Sequence, residues 1–259
     1  MAIDFDAIKR KLERLTGNNK SQNAMWKPEE GNEYSVRLLS FPNNDGQPFK
    51  ELQFYYNIPG QRGLLAPSQF GERDPVQELI NKLREEGTKE SYEMAKKLYP
   101  KMRVYAAVVV RGEEDKGVQL WSFGKLVYQK LLGIMLDEDY GDITDPKTGR
   151  DIKVVCSKAP GQQWATTEIL PRGKSVKLSE NANQAKEWLT NIPDTSEMFK
   201  TKSYDELSKI VNDWLNGDAD DTGTEMYGTE DEDDDDTPKS GSGKKSYNDL
   251  DDAFADLMS

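Results

Sequence analysis

The sequence predicts an α+β protein. Its centre is a small barrel or sandwich of five to six strands, interrupted by a helical insertion and flanked by further helices, with a disordered acidic C-terminal tail outside the packed body. Three observations carry this reading. Six short segments have the apolar, aromatic-rich pattern of strands and are bounded by turn residues. Between the second and third the pattern changes to helical spacing. The acidic excess is confined to the end of the chain: residues 218–259 hold 15 acids and 3 lysines. Of the 47 acids and 35 bases in the chain, that leaves 32 of each for residues 1–217. A length of 259 residues suits one large domain with appendages.

Taken in order, residues 1–20 form an arm. Phe5, Ile8, Leu12 and Leu15 fall on one face at helical spacing, Asp4 or Asp6 can cap the start, and "TGNN" stops the pattern. The opposite face is basic, with Lys9, Arg10, Lys11 and Arg14. Residues 21–217 are the core. The strand segments are "YSVRLLSF" (34–41), "KELQFYYNI" (50–58), "MRVYAAVVV" (102–110), "GVQLWSF" (117–123), "IKVVCS" (152–157) and "QQWATTEIL" (162–170). Turn signals such as "NNDG" and "APGQ" separate them. Short strands at this density favour a closed or sandwiched sheet, which hides strand edges.

The insertion spans residues 72–100. Asp74 is placed as N-cap, Pro75 as the first helical residue and Gly87 as the stop, with Val76, Leu79, Ile80 and Leu83 as an apolar stripe. Tyr92, Ala95 and Tyr99 suggest a second helix completing a hairpin. A further helix is expected over 124–135. "SYDELSKIVNDWL" opens on a capping box, Ser203 and Glu206, and buries Leu207, Ile210, Val211, Trp214 and Leu215. Beyond Asn216 the apolar pattern fails, and residues 218–248 are expected to lack fixed structure. Leu250, Phe254 and Leu257 then recur at helical spacing, a short hook suited to docking on a partner.

Composition excludes several chemistries. The chain has no histidine and one cysteine, Cys156. No Cys/His zinc site, histidine-based acid–base catalysis or internal disulfide can be built from it. One cysteine fits a reducing compartment. No phosphate-binding glycine loop occurs. The acid clusters at 137–142 and 231–236 fit a loop and the tail better than a magnesium nuclease centre. No apolar run is long enough to cross a bilayer, and the first residues lack a signal-peptide pattern.

Binding of single-stranded nucleic acid fits better. Such sites combine cations along the phosphate backbone with aromatic rings for the bases. Here Tyr99 and Tyr105 lie among Lys101 and Arg103, Trp121 and Phe123 precede Lys125, and Tyr34 neighbours Arg37. Arg172, Lys174 and Lys177 form another basic group. Strand aromatics such as Phe54 and Phe123 are expected to fill the core instead. The same chemistry would serve DNA or RNA.

With "WSFGKLVYQKLL" (121–132), "WKPEEGNEYSVRLLSFPNNDG" (26–46), "SEMFKTKSYDELSKIV" (196–211) and "NDLDDAFADL" (248–257) in this order, the chain resembles the single-stranded DNA-binding, helix-destabilising proteins of T-even-like tailed phages. The resemblance implies an OB-type barrel whose cleft holds single-stranded DNA through Arg37, Lys101, Arg103, Tyr105, Trp121 and Lys125, with Tyr99, Arg172 and Lys174 nearby. It implies no enzymatic turnover. It implies an arm, through Lys9, Arg10, Lys11 and Arg14, that contacts the neighbouring copy and makes coating cooperative. It also implies an acidic tail that competes with DNA and recruits replication, recombination and repair proteins through Leu250, Phe254 and Leu257, in the cytoplasm of an infected bacterial host. Zinc-containing members hold the metal in the insertion with one His and three Cys. Phe70, Asp74 and Gln77 stand in the corresponding region here, so no cofactor is expected, and the helical hairpin is expected to replace the metal by burial.

Overall fold

The computed structural model describes residues 25–162 and 164–216. The expected basic arm with Lys9, Arg10, Lys11 and Arg14, the acidic run, and the hook with Leu250, Phe254 and Leu257 lie outside the described residues. The strands are β1 (Met25–Trp26), β2 (Glu33–Leu39), β3 (Phe49–Tyr55), β4 (Leu64–Leu65), β5 (Lys101–Val110), β6 (Gln119–Phe123), β7 (Arg150–Ser157) and β8 (Thr166–Ser175). The helices are α1 (Pro75–Glu86), α2 (Lys89–Leu98), α3 (Lys125–Leu136), α4 (Ala182–Thr190), α5 (Thr195–Met198) and α6 (Tyr204–Leu215).

All eight strands join one mixed sheet in the order β1-β6-β5-β2-β7-β8, with β3 on β5 and β4 on β3. Only the β1–β6 pair is parallel. The sheet thus has eight strands where five to six were expected, and its pairing path runs from β1 to β8 without closing. β1 is only two residues long, and it and β8 stand at opposite ends of the pairing path. Helix α3 packs against β8 instead of a closing strand.

The continuous apolar run of β5 has a direct cause. Val104, Ala106, Val108 and Val110 enter one core with Val36, Leu38, Trp121, Phe123, Ile152 and Val154. Ala107 and Val109, on the other face, enter a second core with Leu39, Phe41, Leu120 and Trp188. A strand covered on both faces needs apolar residues at successive positions, not at alternate ones. Each large side chain so buried contributes about 1.5–3 kcal/mol.

A third cluster joins the insertion to the sheet. Leu79, Ile80 and Leu83 of α1, Ala95 and Leu98 of α2, and Leu207 and Val211 of α6 pack around Tyr55, Ile58 and Leu64. Asp74 caps α1, its carboxylate accepting from the amides of Val76 at 3.1 Å and Gln77 at 3.3 Å and from the Tyr55 hydroxyl at 2.7 Å. Burial and this carboxylate push the Tyr55 hydroxyl well above the ordinary phenol range. The capping box of Ser203 and Glu206 forms. The second helix differs from expectation: its buried face is Ser91, Ala95 and Leu98, while Tyr92 is exposed and Tyr99 lies just past its end. The positions considered for zinc do not fit a metal. Phe70 is exposed, Asp74 is engaged as a cap, and the Gln77 amide donates to Asn81.

Arg37 requires a correction. It is fully buried, with 0% exposure, and cannot reach a phosphate at the surface. Its Nε donates to Asp151 at 2.9 Å, and its Nη atoms donate to the carbonyls of Asp145 at 3.2 Å and Val176 at 2.6 Å. Asp151 also accepts from Arg111 at 3.0 and 3.1 Å. Burial lowers the Arg37 pKa, and the Asp151 charge opposes that shift. Arg37 is thus a pin that fastens β2 to the loop at Asp145, to Asp151 of β7 and to Val176 just past β8.

Gly149 makes that pin possible. A Cβ there would lie 2.5 Å from the Asp145 carbonyl oxygen, 2.6 Å from that of Ile143 and 2.8 Å from Arg37 Nη1. Two of these are backbone atoms and cannot move aside cheaply. Gly149→Ala is expected to destabilise the protein by about 1–3 kcal/mol, read as a lower urea midpoint; an unchanged midpoint would show that the turn can open.

Candidate nucleic-acid interface

A cleft of 730 Å³ is lined in part by β5 and β6. Its lining includes Arg103 and Tyr105 of β5 and Trp121, Ser122 and Phe123 of β6. Met25, Trp26 and Lys27, and Leu126, Val127 and Lys130 of α3, also line it. The β3–β4 connection supplies Tyr56, Arg62 and Gly63, β8 supplies Thr166, Thr167 and Glu168, and Met198 and Phe199 complete the wall.

Charge separates this surface from an ordinary cavity. Four cationic side chains, Lys27, Arg62, Arg103 and Lys130, line it against one carboxylate, Glu168. Lys27, Arg62 and Lys130 are solvent-exposed and Arg103 is half-buried. Their elements are far apart in sequence, so their convergence is a product of the fold. Leu126 and Lys130 stand four residues apart on α3 and share a face. Gly63, at φ +131°, allows the close approach of Tyr56: a Cβ there would sit 3.0 Å from the ring. Burial pushes the Tyr56 hydroxyl above the ordinary phenol range, and the Arg103 guanidinium hydrogen-bonded to it acts the other way.

The aromatic side chains form two packed groups. Trp121 meets Trp26 at 5.4 Å and Phe123 at 4.6 Å between ring centres. Tyr105 meets Phe199 at 4.9 Å and Phe54 at 6.4 Å, and Phe54 meets Phe199 at 5.3 Å. The two groups belong to opposite faces of the β5–β6 pair. Phe123 lies opposite Val104 and Trp121 opposite Ala106 in register, whereas Tyr105 lies opposite Ser122. The cleft therefore takes side chains from both faces.

No protein-family model matches the chain, and no curated protein matches it.

Of the side chains expected to bind a strand, the structure brings Arg103, Tyr105 and Trp121 into the cleft lining. Tyr105 and Trp121 are only 4% and 1% exposed, however. A base needs an open ring face to stack on, so both serve as packed lining and not as stacking platforms. Lys125 is exposed at the start of α3, between Gly124 and Leu126 of the lining. Lys101 shares a strand face with Arg103 but lies outside the lining, as does Tyr99, which is 38% exposed. Arg172 and Lys174 sit further along β8 from Glu168, and Arg172 pairs with Glu33 at 3.1 Å. The structure does not bring them to the cleft.

Sequence reasoning missed Lys27, Arg62, Lys130, Met25, Tyr56 and Phe199. Arg62 carried a weak signal, a cation in a glycine turn between two strands. The others carried none, because nothing local marks which exposed lysine faces a concave surface.

Among the described residues, no group of three or more His, Cys, Asp or Glu side chains is placed to hold a metal ion. Among them too, no helix is long and apolar enough to cross a membrane.

Proposed function

We propose that this chain is a single-stranded DNA-binding protein that coats unpaired strands without sequence preference and without turnover. The observation that carries the reading is the cleft in which Lys27, Arg62, Arg103 and Lys130 face one carboxylate among aromatic and apolar side chains. Cations neutralise phosphates and flat or apolar surfaces take bases, a combination that tolerates any sequence. Binding single strands in preference to duplex shifts melting toward the open form by mass action.

The sequence resemblance gives this reading its biological setting: a phage protein acting in replication, recombination and repair in the cytoplasm of its host. The OB-type reading of the core draws support from the cleft, which is lined by both β6 and β8, strands near opposite ends of the pairing path. In the same reading the 72–100 insertion takes the place of a zinc module by burying its apolar stripe. The arm with Lys9, Arg10, Lys11 and Arg14 promotes cooperative coating by contacting the neighbouring copy.

The acidic tail is assigned a regulatory role. Residues 218–259 carry a net charge of −12, since they hold 15 acids and 3 lysines. A tethered polyanion competes with DNA for the cleft cations at an effective concentration in the millimolar range for short links. Once displaced, the hook of Leu250, Phe254 and Leu257 is free to recruit partner proteins. Deleting residues 218–259 is expected to tighten binding to a single-stranded oligonucleotide at low salt, with the gain shrinking as salt rises. Titration of the intact and shortened chains checks this; equal affinities at low salt would show that the tail does not compete for the cleft. Competition between DNA and RNA oligomers of equal length tests the choice of nucleic acid.

A further inference from the structure

A second concavity, of 920 Å³, shares Phe199 with the cleft. Phe49, Leu52 and Leu65 of the β3–β4 side and Tyr128, Leu132 and Met135 of α3 form its walls. Two structural parts belong to both spaces. Helix α3 presents Leu126 and Lys130 to the cleft and Leu132 and Met135 to the groove. The segment 194–201 presents Met198 to the cleft and Thr195, Lys200 and Thr201 to the groove, and Phe199 lines both.

We propose that Phe199 is a positioning residue for the strand-binding cleft, linking cleft occupancy to the conformation of segment 194–201 in the second groove. The inference rests on the strand-binding reading and deepens it. The Phe199 ring packs on Tyr105 at 4.9 Å and on Phe54 at 5.3 Å. Tyr105 is the β5 side chain two residues beyond Arg103, so the placement of Phe199 sets the wall behind that cation. The segment is fixed from the groove side by one ion pair, Lys50 to Asp194 at 3.3 Å. Asp194 also accepts from the Ser196 amide at 3.0 Å, tying the ion pair to the first turn of α5. A strand that shifts the Tyr105 wall moves Phe199, and the movement reaches Lys200 one residue on. The converse follows by linkage: whatever alters segment 194–201 from the groove alters strand affinity by the same factor.

The test uses the intact chain with an environment-sensitive dye on Lys200→Cys, where Cys156 is 2% exposed and does not compete for label. Strand binding is read separately, from the anisotropy of a labelled oligodeoxythymidine. Saturation with the oligomer is expected to change the dye emission, and Phe199→Leu or Phe199→Ala is expected to suppress that change. Lys50→Ala is expected to weaken strand binding about two- to tenfold while leaving the salt slope unaltered, because Lys50 does not line the cleft. Strand binding with a silent dye overturns the inference. So does a dye response that persists in both Phe199 variants, or a salt slope lowered by about 0.7 in Lys50→Ala, which would make Lys50 a phosphate contact. If the oligomer does not bind at all, the proposed function fails, and this inference with it.

Discussion

Arg37→Ala is expected to destabilise the folded chain by about 3 kcal/mol or more, with no loss of strand binding by the molecules that remain folded. The side chain is at 0% exposure and makes three hydrogen bonds of 2.6–3.2 Å. Its removal leaves the carbonyls of Asp145 and Val176 without that donor, a cost of about 1–3 kcal/mol each where water cannot enter. It also leaves a void. Asp151 keeps Arg111, at 3.0 Å, so its charge is not abandoned and the total stays below a plain sum. For a body of this size the drop in Tm is roughly 6–12 °C. Arg111→Ala should cost less, because the Arg111 side chain is 22% exposed and water can replace part of what is lost. Thermal melts of both variants check the order. A stable Arg37→Ala whose salt slope for DNA falls by about 0.7 would restore Arg37 as a phosphate contact and contradict the buried network.

The second large effect concerns the cleft. Arg62→Ala, Arg103→Ala and Lys130→Ala in one chain remove three of its four lining cations. The slope of log affinity against log salt is expected to fall in magnitude by about 2, since each phosphate neutralised on a single strand contributes about 0.7. At 50 mM salt, affinity should drop by roughly two to three orders of magnitude. Arg62 and Lys130 are exposed, so their removal tests electrostatics with little effect on packing. Arg103 is held to Tyr56, so circular dichroism must show the triple variant folded. A control, Arg172→Ala with Lys174→Ala, removes two cations of β8 outside the cleft and should leave the slope nearly unchanged. An equal loss from the control would relocate the interface to the β8 surface.

Local order was legible in the sequence wherever the chain itself enforces it. Asp74, Pro75 and Gly87 bound α1 because capping, fixed φ and a left-handed turn are properties of those residues in place. The capping box of Ser203 and Glu206 marks α6 for the same reason. Six strand segments were recognisable from β-branched and aromatic content. What escaped is what depends on distant chain. β1 and β4, two residues each, exist only through partners on β6 and β3. Helix α4 buries a single residue, Trp188, too little for a periodic stripe. Arg37 read as a surface cation because alternation cannot reveal a partner at Asp151, 114 residues away. Which aromatics offer a free ring face was not legible, because residue type does not report the exposure of Trp121 or Tyr105. The cleft was legible as a chemistry, cations among aromatics, but only partly as a membership list. Arg62 and Lys130 join it through the β3–β4 turn and the pitch of α3.

The proposed grip on unpaired strands, by phosphate charge and base contact, is tested by titrating the intact chain with single-stranded and double-stranded oligomers of equal length across a salt series. A clear preference for single strands is expected, with a linear log–log decline of about 0.7 per phosphate engaged. Equal affinity for duplex and single strand, or binding indifferent to salt, would contradict it.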